Sequence, residues 1–144
     1  MAELITWSDE YLIGVGEFDI QHKELTILVN DVLLGSQQML QASELLQRME
    51  LMIKYAKWHF RCEEGLMRIY QYSEMAAHLE EHRMLVANIE EKRTQMADRV
   101  VPAPQLYQFF VAWFGGHAFG ADVEMAKFIN KVRGRSNPVN PIVS

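Results

Sequence analysis

Two pairs of side chains that can bind metals stand at helical spacing in the middle of the chain. His59 and Glu63 are four residues apart, and so are His78 and His82. Residues four apart lie above one another on one face of a helix, so each pair can present both donors to the same point. Imidazole and carboxylate together suit iron, zinc, copper or nickel, and the donor types alone leave the metal open. The spacing predicts metal binding from the inner faces of two consecutive helices.

The remaining histidines point to the same site. The chain has five histidines, and the other two, His22 and His117, fall on the first and last helices that the pattern predicts. A single histidine on an apolar helical face is usually a hydrogen-bonded core residue. Five buried imidazoles and the carboxylates of Glu63 and Asp122 would be unfavourable without partners, because each polar or charged group loses its water. A shared metal site removes this difficulty.

Hydrophobic periodicity predicts an all-α fold of four amphipathic helices. Residues 1–18 have no helical period and are predicted to form an extended arm, anchored by Trp7 and Tyr11. Short connections between the helices predict an up-down-up-down four-helix bundle. The first predicted helix has Asp19 as its N-cap and runs from Ile20 to the late thirties, and the second runs from Ser43 to about Ile69. The third is capped by Ser73, and the fourth runs from Pro104 to about Arg133.

Glycines and charges on these helices carry further expectations. Gly65 lies inside the second helix at a cost of about 1 kcal/mol relative to alanine, for which close packing is one reason. His117 and Asp122 are five residues apart, about 140° around an ideal helix, so we expect either a π-bulge between them or a wide site. We assign the charged outer face of the third helix, which includes Glu80 and Glu81, to solvent.

The composition restricts the class of protein. A chain of 144 residues fits one domain, here residues 1–134 with a loose tail at 135–144. The net charge of −5 argues against nucleic-acid binding, and no apolar stretch is long enough to insert into a membrane. The first residues do not read as a secretion signal. The single cysteine, Cys62, cannot form an internal disulfide, which suits the cytoplasm. We expect a monomer.

Four segments resemble the bacterial hemerythrins. They are Phe18–Leu25 (FDIQHKEL), His59–Glu64 (HFRCEE), the pair His78 and His82, and the set Trp113, His117 and Asp122. The resemblance covers roughly residues 4–132. It implies a non-heme centre of two iron ions per chain, joined by an oxo or hydroxo group. By motif position, His22 and His59 would bind one iron, His78, His82 and His117 the other, and Glu63 and Asp122 both.

The resemblance also implies a place for dioxygen. The iron held by three histidines would have six ligands, whereas the iron held by His22 and His59 would have five and one open position. Trp113, Phe114 and Ala118 are expected to line an apolar O2 pocket there, with Phe114 where the family often has leucine. We considered Tyr55 and Tyr107 as hydrogen-bond partners of the imidazoles, and Gln21 as a residue that orients His22.

The function implied by the resemblance is reversible O2 binding for storage or delivery. It requires no catalytic residues, so we do not expect the protein to be an enzyme. An oxygen-consuming enzyme is the recipient we consider. A donor set of five neutral imidazoles and two carboxylates should support high iron oxidation states less well than the carboxylate-rich sets of di-iron oxygenases. The alternatives are a sensor of O2 or redox state, and a di-iron enzyme that acts on peroxide or nitric oxide.

Overall fold

The computed structural model describes residues 3–134, and within them the chain is an up-down-up-down bundle of four helical rods, with no strand. Its helices are α1 Gly16–Gln37, α2 Ala42–Ile69, α3 Met75–Asp98, α4 Ala103–Ala118 and α5 Ala121–Val132. α4 and α5 follow each other along the fourth rod. α1 packs on α2 and α4, and α2 packs on α3 and α5. The predicted fold class is confirmed, and the tail at 135–144 lies outside the described residues. None of the described helices could span a membrane.

The interior consists of two apolar clusters with a polar layer between them. On α1, Phe18 belongs to the smaller cluster and Leu25 to the larger one, with His22 between them. On α2, Met67 likewise belongs to the smaller cluster and Phe60 to the larger one. The larger cluster extends toward the connections 38–41 and 99–102, and the smaller one lies at the opposite end. The bundle therefore positions its polar layer near one end, where four rods surround it.

The arm is shorter than predicted, because α1 begins at Gly16. The prediction of Asp19 as N-cap is wrong: Val15 is the N-cap, and Asp19 lies in the first turn. Its carboxylate accepts hydrogen bonds from the backbone N–H groups of Ile13 at 2.7 Å and Gly14 at 3.2 Å. Gly14 has a φ of 93°, a left-handed conformation that glycine adopts readily, and this turn brings both N–H groups within reach of the helix.

Hydrogen bonds and ring contacts hold the arm against α1 and the fourth rod. The side chain of Asn30 accepts a hydrogen bond from the Ile5 N–H and donates one to the Ile5 carbonyl, each at 2.8 Å. The ring of Tyr11 lies 4.7 Å from that of Phe119, and Trp7 contacts Tyr11 edge-on at 5.7 Å. The expected aromatic anchors therefore place the arm over the junction of α4 and α5.

Three local predictions on the second and third helices are wrong. The N-caps of α2 and α3 are Gln41 and Glu74 in place of Ser43 and Ser73, and neither forms a side-chain capping hydrogen bond. A Cβ added to Gly65 would meet no atom within 4 Å, so close packing does not explain this glycine. Tertiary packing of the apolar faces, rather than capping chemistry, therefore sets where these helices begin.

Candidate metal centre

The five imidazoles direct their Nε2 atoms toward two buried carboxylates in the polar layer. The Nε2 atoms of His59 and His82 lie 2.9 Å and 2.8 Å from the two oxygens of Glu63. The Nε2 of His117 lies 2.9 Å from Asp122 Oδ1. Both carboxylates are fully buried, with 0% of their side-chain surface exposed. Side chains from all four rods thus meet within one small volume.

The donor atoms form two overlapping groups, and within each group all of them lie within 4.8 Å of one another. One group is Glu63, His78, His82, His117 and Asp122, and the other is His22, His59, Glu63 and Asp122. The two carboxylates belong to both. This is the division that the resemblance implies for two ions, and the assignment of these residues as ligands stays a prediction.

Unpartnered atoms show that the cluster does not satisfy itself. The Nε2 of His59, Oε2 of Glu63 and Oδ1 of Asp122 are buried and have no hydrogen-bond partner among the described residues. His59 Nε2 and Glu63 Oε2 approach to 2.9 Å, yet they are not aligned as a hydrogen bond. A buried, unpaired donor or acceptor is costly, and a cation between such atoms satisfies them together. Nitrogen and oxygen donors in this number fit two first-row divalent ions.

The carboxylates strongly perturb the histidines in the metal-free protein. Burial opposes protonation of His22 and His78, but hydrogen bonds and charges from Asp122 and Glu63 outweigh it and raise the pKa of each to about 9. Burial also opposes protonation of His117, but the same two carboxylates outweigh it and raise its pKa to about 11. Burial would raise the pKa of Glu63 and of Asp122, yet hydrogen bonds from the imidazoles hold both pKa values below the usual range. Without metal, these shifts favour protonated His22, His78 and His117 beside two ionised carboxylates.

The stability of the metal-free protein should therefore fall as the pH rises above about 6.5. The folded pKa values of His22, His78 and His117 are raised, so their stabilising contribution is present below the unfolded value of 6.5 and is lost through about 9 and 11. The depressed pKa values of Glu63 and Asp122 add a second loss under acid conditions.

Urea unfolding with a chelator present, at a series of pH values from about 4 to 10, measures this dependence. A His117→Gln variant should have a flatter alkaline limb, since it lacks the group with the highest pKa. Stability that increases steadily from pH 6 to pH 9 would contradict the charge pairing described here.

The helix does not continue from His117 to Asp122, so the predicted single helix to Arg133 is wrong. α4 ends at Ala118 and α5 begins at Ala121. The N–H of Gly120 bonds to the His117 carbonyl at 3.2 Å, three residues back, where an α-helix would bond four residues back. The structure therefore has a break between the helices, and the π-bulge, one of the two expected alternatives, is not formed. The break allows two donors five residues apart to face the same point.

Gly120 is needed at this break. A Cβ at this position would lie 2.8 Å from the carbonyl oxygen of Gly116, a distance shorter than real Cβ contacts show. A Cβ at Gly116 itself would meet nothing within 4 Å. The two glycines thus have different roles: Gly120 permits the close backbone approach at the break, whereas Gly116 has no steric requirement.

Three imidazoles use Nδ1 to donate a hydrogen bond to a side chain on the preceding helix. The pairs are His59 with Gln21 Oε1 at 2.6 Å, His82 with Glu64 Oε2 at 2.8 Å, and His117 with Glu81 Oε1 at 2.7 Å. A proton on Nδ1 leaves Nε2 as the free lone pair for a metal, and such partners also fix the orientation of the ring.

Gln21 and Glu81 were not expected from the sequence as the partners of His59 and His117. The predicted partners were Tyr55 and Tyr107, and Gln21 was expected to orient His22 but contacts His59. The assignment of Glu81 to the solvated face is also wrong: its side chain is 43% exposed but bonds the His117 ring. The usable signal was position, because Glu81 lies three residues after His78 and so borders the inner face of α3.

A small apolar cavity adjoins the donors. The three predicted pocket residues, Trp113, Phe114 and Ala118, all line it, as do His22 and His59. Its volume of about 10 Å³ is near the minimum that holds one water molecule. The indole N–H of Trp113 donates to the backbone carbonyl of residue 85 at 2.9 Å, so only its apolar surface is available to the cavity. One small uncharged molecule fits beside the cluster.

Comparison with known proteins agrees with this arrangement. The hemerythrin HHE cation binding domain matches residues 14–129. The chain is 26% identical to the bacteriohemerythrin of Pseudomonas paraeruginosa over 133 residues, which are 92% of this chain and 84% of that protein. It is 36% identical to the bacteriohemerythrin of Methylococcus capsulatus over 84 residues, which are 58% of this chain and 63% of that protein.

Solved structures agree as well. Two crystal structures of hemerythrin, with one leucine changed to tyrosine or to alanine, each match with a TM-score of 0.79 and 26% identity. Each match covers 90% of this chain and 98% of the other. The family match spans most of the chain and includes all seven donor residues. The chain belongs to the hemerythrin family.

Proposed function

We propose that the protein binds two iron ions in the polar layer and through them binds dioxygen reversibly, for storage or delivery. The observation that carries this proposal is the division of the donors: two groups share Glu63 and Asp122, with three histidines on one side and two on the other. Family membership supports iron as the metal. When bound, a pair of ferrous ions supplies the electrons that make O2 binding both tight and reversible.

The residues have separate roles in this proposal. His22 and His59 would hold one ion, His78, His82 and His117 the other, and the shared carboxylates would hold both ions in register. Four protein donors on the first side against five on the second leave the first ion with more room. Both histidines of that side line the cavity, against only one of the three, His117, from the other side. We therefore place O2 in the cavity, next to the ion of His22 and His59.

The apolar lining protects what binds there. Phe60, Leu85, Trp113 and Phe114 border the cavity and carry no acidic proton. Protons and water would promote the loss of bound O2 in reduced form, and this apolar part of the lining limits the access of both. The ring of Phe60 also stacks on that of His82, with ring centroids 4.2 Å apart. The residues thus favour release of O2 unchanged.

Anaerobic titration of the metal-free protein with ferrous iron tests the proposal. We expect two ions per chain, and then a visible spectrum that appears with O2 and disappears when the gas is removed, over repeated cycles. Irreversible oxidation in the first cycle would contradict a carrier and favour the sensor or enzyme alternatives. Uptake of iron far above two ions per chain would contradict the site and favour iron storage.

Filling the cavity should weaken O2 binding without loss of iron. Ala118 lines the cavity with a small side chain, so Ala118→Leu places additional carbon atoms in a space of about 10 Å³. We expect O2 affinity to fall about tenfold or more, which corresponds to about 1.4 kcal/mol, while two iron ions remain bound. Ala112→Leu, on the exposed side of the same helix, is the matched control. Equal O2 affinity in both variants would place the ligand elsewhere.

A further inference from the structure

The hydrogen bonds around the imidazoles are not equivalent on the two sides of the site. On the three-histidine side, His82 donates to the carboxylate of Glu64 at 2.8 Å and His117 donates to that of Glu81 at 2.7 Å. Both acceptors are partly exposed and carry formal negative charge. Two of the three imidazoles in this group therefore have an anionic partner.

The two-histidine side has no anionic partner at its outer nitrogens. His59 donates to the amide oxygen of Gln21 at 2.6 Å, and an amide is neutral. The Nδ1 of His22 is buried and has no hydrogen-bond partner among the described residues. The carboxylate of Asp19 adds negative charge near His22 but does not accept a hydrogen bond from its ring. Among the described residues, an anionic hydrogen-bond acceptor for Nδ1 is therefore present on only one side of the layer.

A carboxylate at Nδ1–H changes what the ring can do at Nε2. It draws the proton outward, increases the electron density on the ring and makes Nε2 a stronger donor to a cation. Charge-assisted hydrogen bonds are also shorter and stronger than neutral ones and hold the ring in place. Outer partners of this kind change metal affinity by about 10- to 100-fold.

We propose that Glu64 and Glu81 make the two ion positions unequal, so that the three-histidine group binds a divalent cation more tightly and fills first. These are positioning residues, which act through His82 and His117. The inference rests on the proposed function, since it assumes two ions in the same layer. The larger number of donors in the three-histidine group already favours it, so the inference concerns the additional affinity that the two outer charges supply.

Titration of the metal-free protein with Co2+ tests the role of charge. Co2+ neighbours Fe2+ in the order of affinities for such donors and gives an absorption band on binding. We expect two stepwise constants, and we expect Glu64→Gln and Glu81→Gln each to lower the first by about tenfold and both together by about 100-fold, with the second within about threefold. Gln21→Glu should raise the second constant.

Glu80→Gln is the matched control, because it removes the same charge one residue from Glu81, where the side chain pairs with Arg83. We expect its constants to equal those of the unchanged protein. A fall of both constants together, an effect of Glu80→Gln as large as that of Glu81→Gln, or no effect at all would overturn the inference. Failure of the unchanged protein to bind two ions would instead overturn the proposed function.

The order of filling can be read without any variant. The first equivalent of paramagnetic Co2+ should shift the ring-proton resonances of His78, His82 and His117, and the second those of His22 and His59. Simultaneous shifts of all five, or the reverse order, would overturn the inference even if the glutamine variants fold poorly.

Discussion

Replacement of Glu63 by glutamine is expected to abolish two-ion binding. Glu63 is completely buried and belongs to both donor groups, with one oxygen 2.8 Å from His82 Nε2 and the other 2.9 Å from His59 Nε2. Glutamine keeps the shape but removes the charge and turns one oxygen into an N–H donor. Loss of one partner of a buried charge costs about 3–5 kcal/mol, or more than about 100-fold in affinity.

The metal-free Glu63→Gln protein should also be less stable near neutral pH, because the raised pKa values of His22 and His117 depend partly on this carboxylate. Metal analysis after dialysis and stepwise Co2+ titration measure the loss of metal binding, and urea unfolding measures the loss of stability. Glu91→Gln, on the exposed face of α3, is the matched control. Two ions bound with unchanged constants would remove Glu63 from the site.

Gly120→Ala is expected to weaken both the fold and the site. The added Cβ would lie 2.8 Å from the Gly116 carbonyl oxygen, and a backbone atom cannot rotate away. The turn between α4 and α5 would therefore have to open. This would displace Asp122, which lies two residues after Gly120. We expect a loss of about 1–3 kcal/mol in the free energy of unfolding, and a fall in metal affinity greater than that of any exposed substitution.

Gly116→Ala separates this steric effect from the general consequence of replacing glycine in a helix. The new Cβ would have no atom within 4 Å, so the free energy of unfolding of this variant should increase by about 0.5–1 kcal/mol. Unfolding of the metal-free variants, followed by Co2+ titration, gives the comparison. Similar stability and similar affinity for the two variants would show that the contact at Gly120 does not constrain the junction.

Spacing and residue type predicted the bundle and the convergence of its donors. The separations of His59 from Glu63 and of His78 from His82 each fix two donors on one helical face without knowledge of the neighbours. Once four amphipathic helices are antiparallel, only one level of the bundle can hold all five histidines. The same periodicity placed Trp113 and Ala118 beside them.

Features that depend on contacts between helices were not predictable in this way. The position of Glu81 places it at the border of the inner face, but its acceptor role follows only when α4 is in place, since that role depends on the His117 ring. The break after Ala118 allows Asp122 to face the layer, a requirement that arises only once the other rods are assembled around it. Asp19 looked like a cap by type, but the left-handed turn at Gly14 gave it other donors.

The position of the polar layer between two apolar clusters has a consequence for the protein without metal. The smaller cluster, around Phe18, Met67 and Met125, has few buried side chains of its own. It connects to the larger cluster through the layer of donors, so the ions would act as the link between two parts of unequal stability. Chelation would then permit a subglobal opening in which α5 and the first turn of α1 separate while the opposite end stays closed. Proteases would then cleave the metal-free protein at that end of the bundle only.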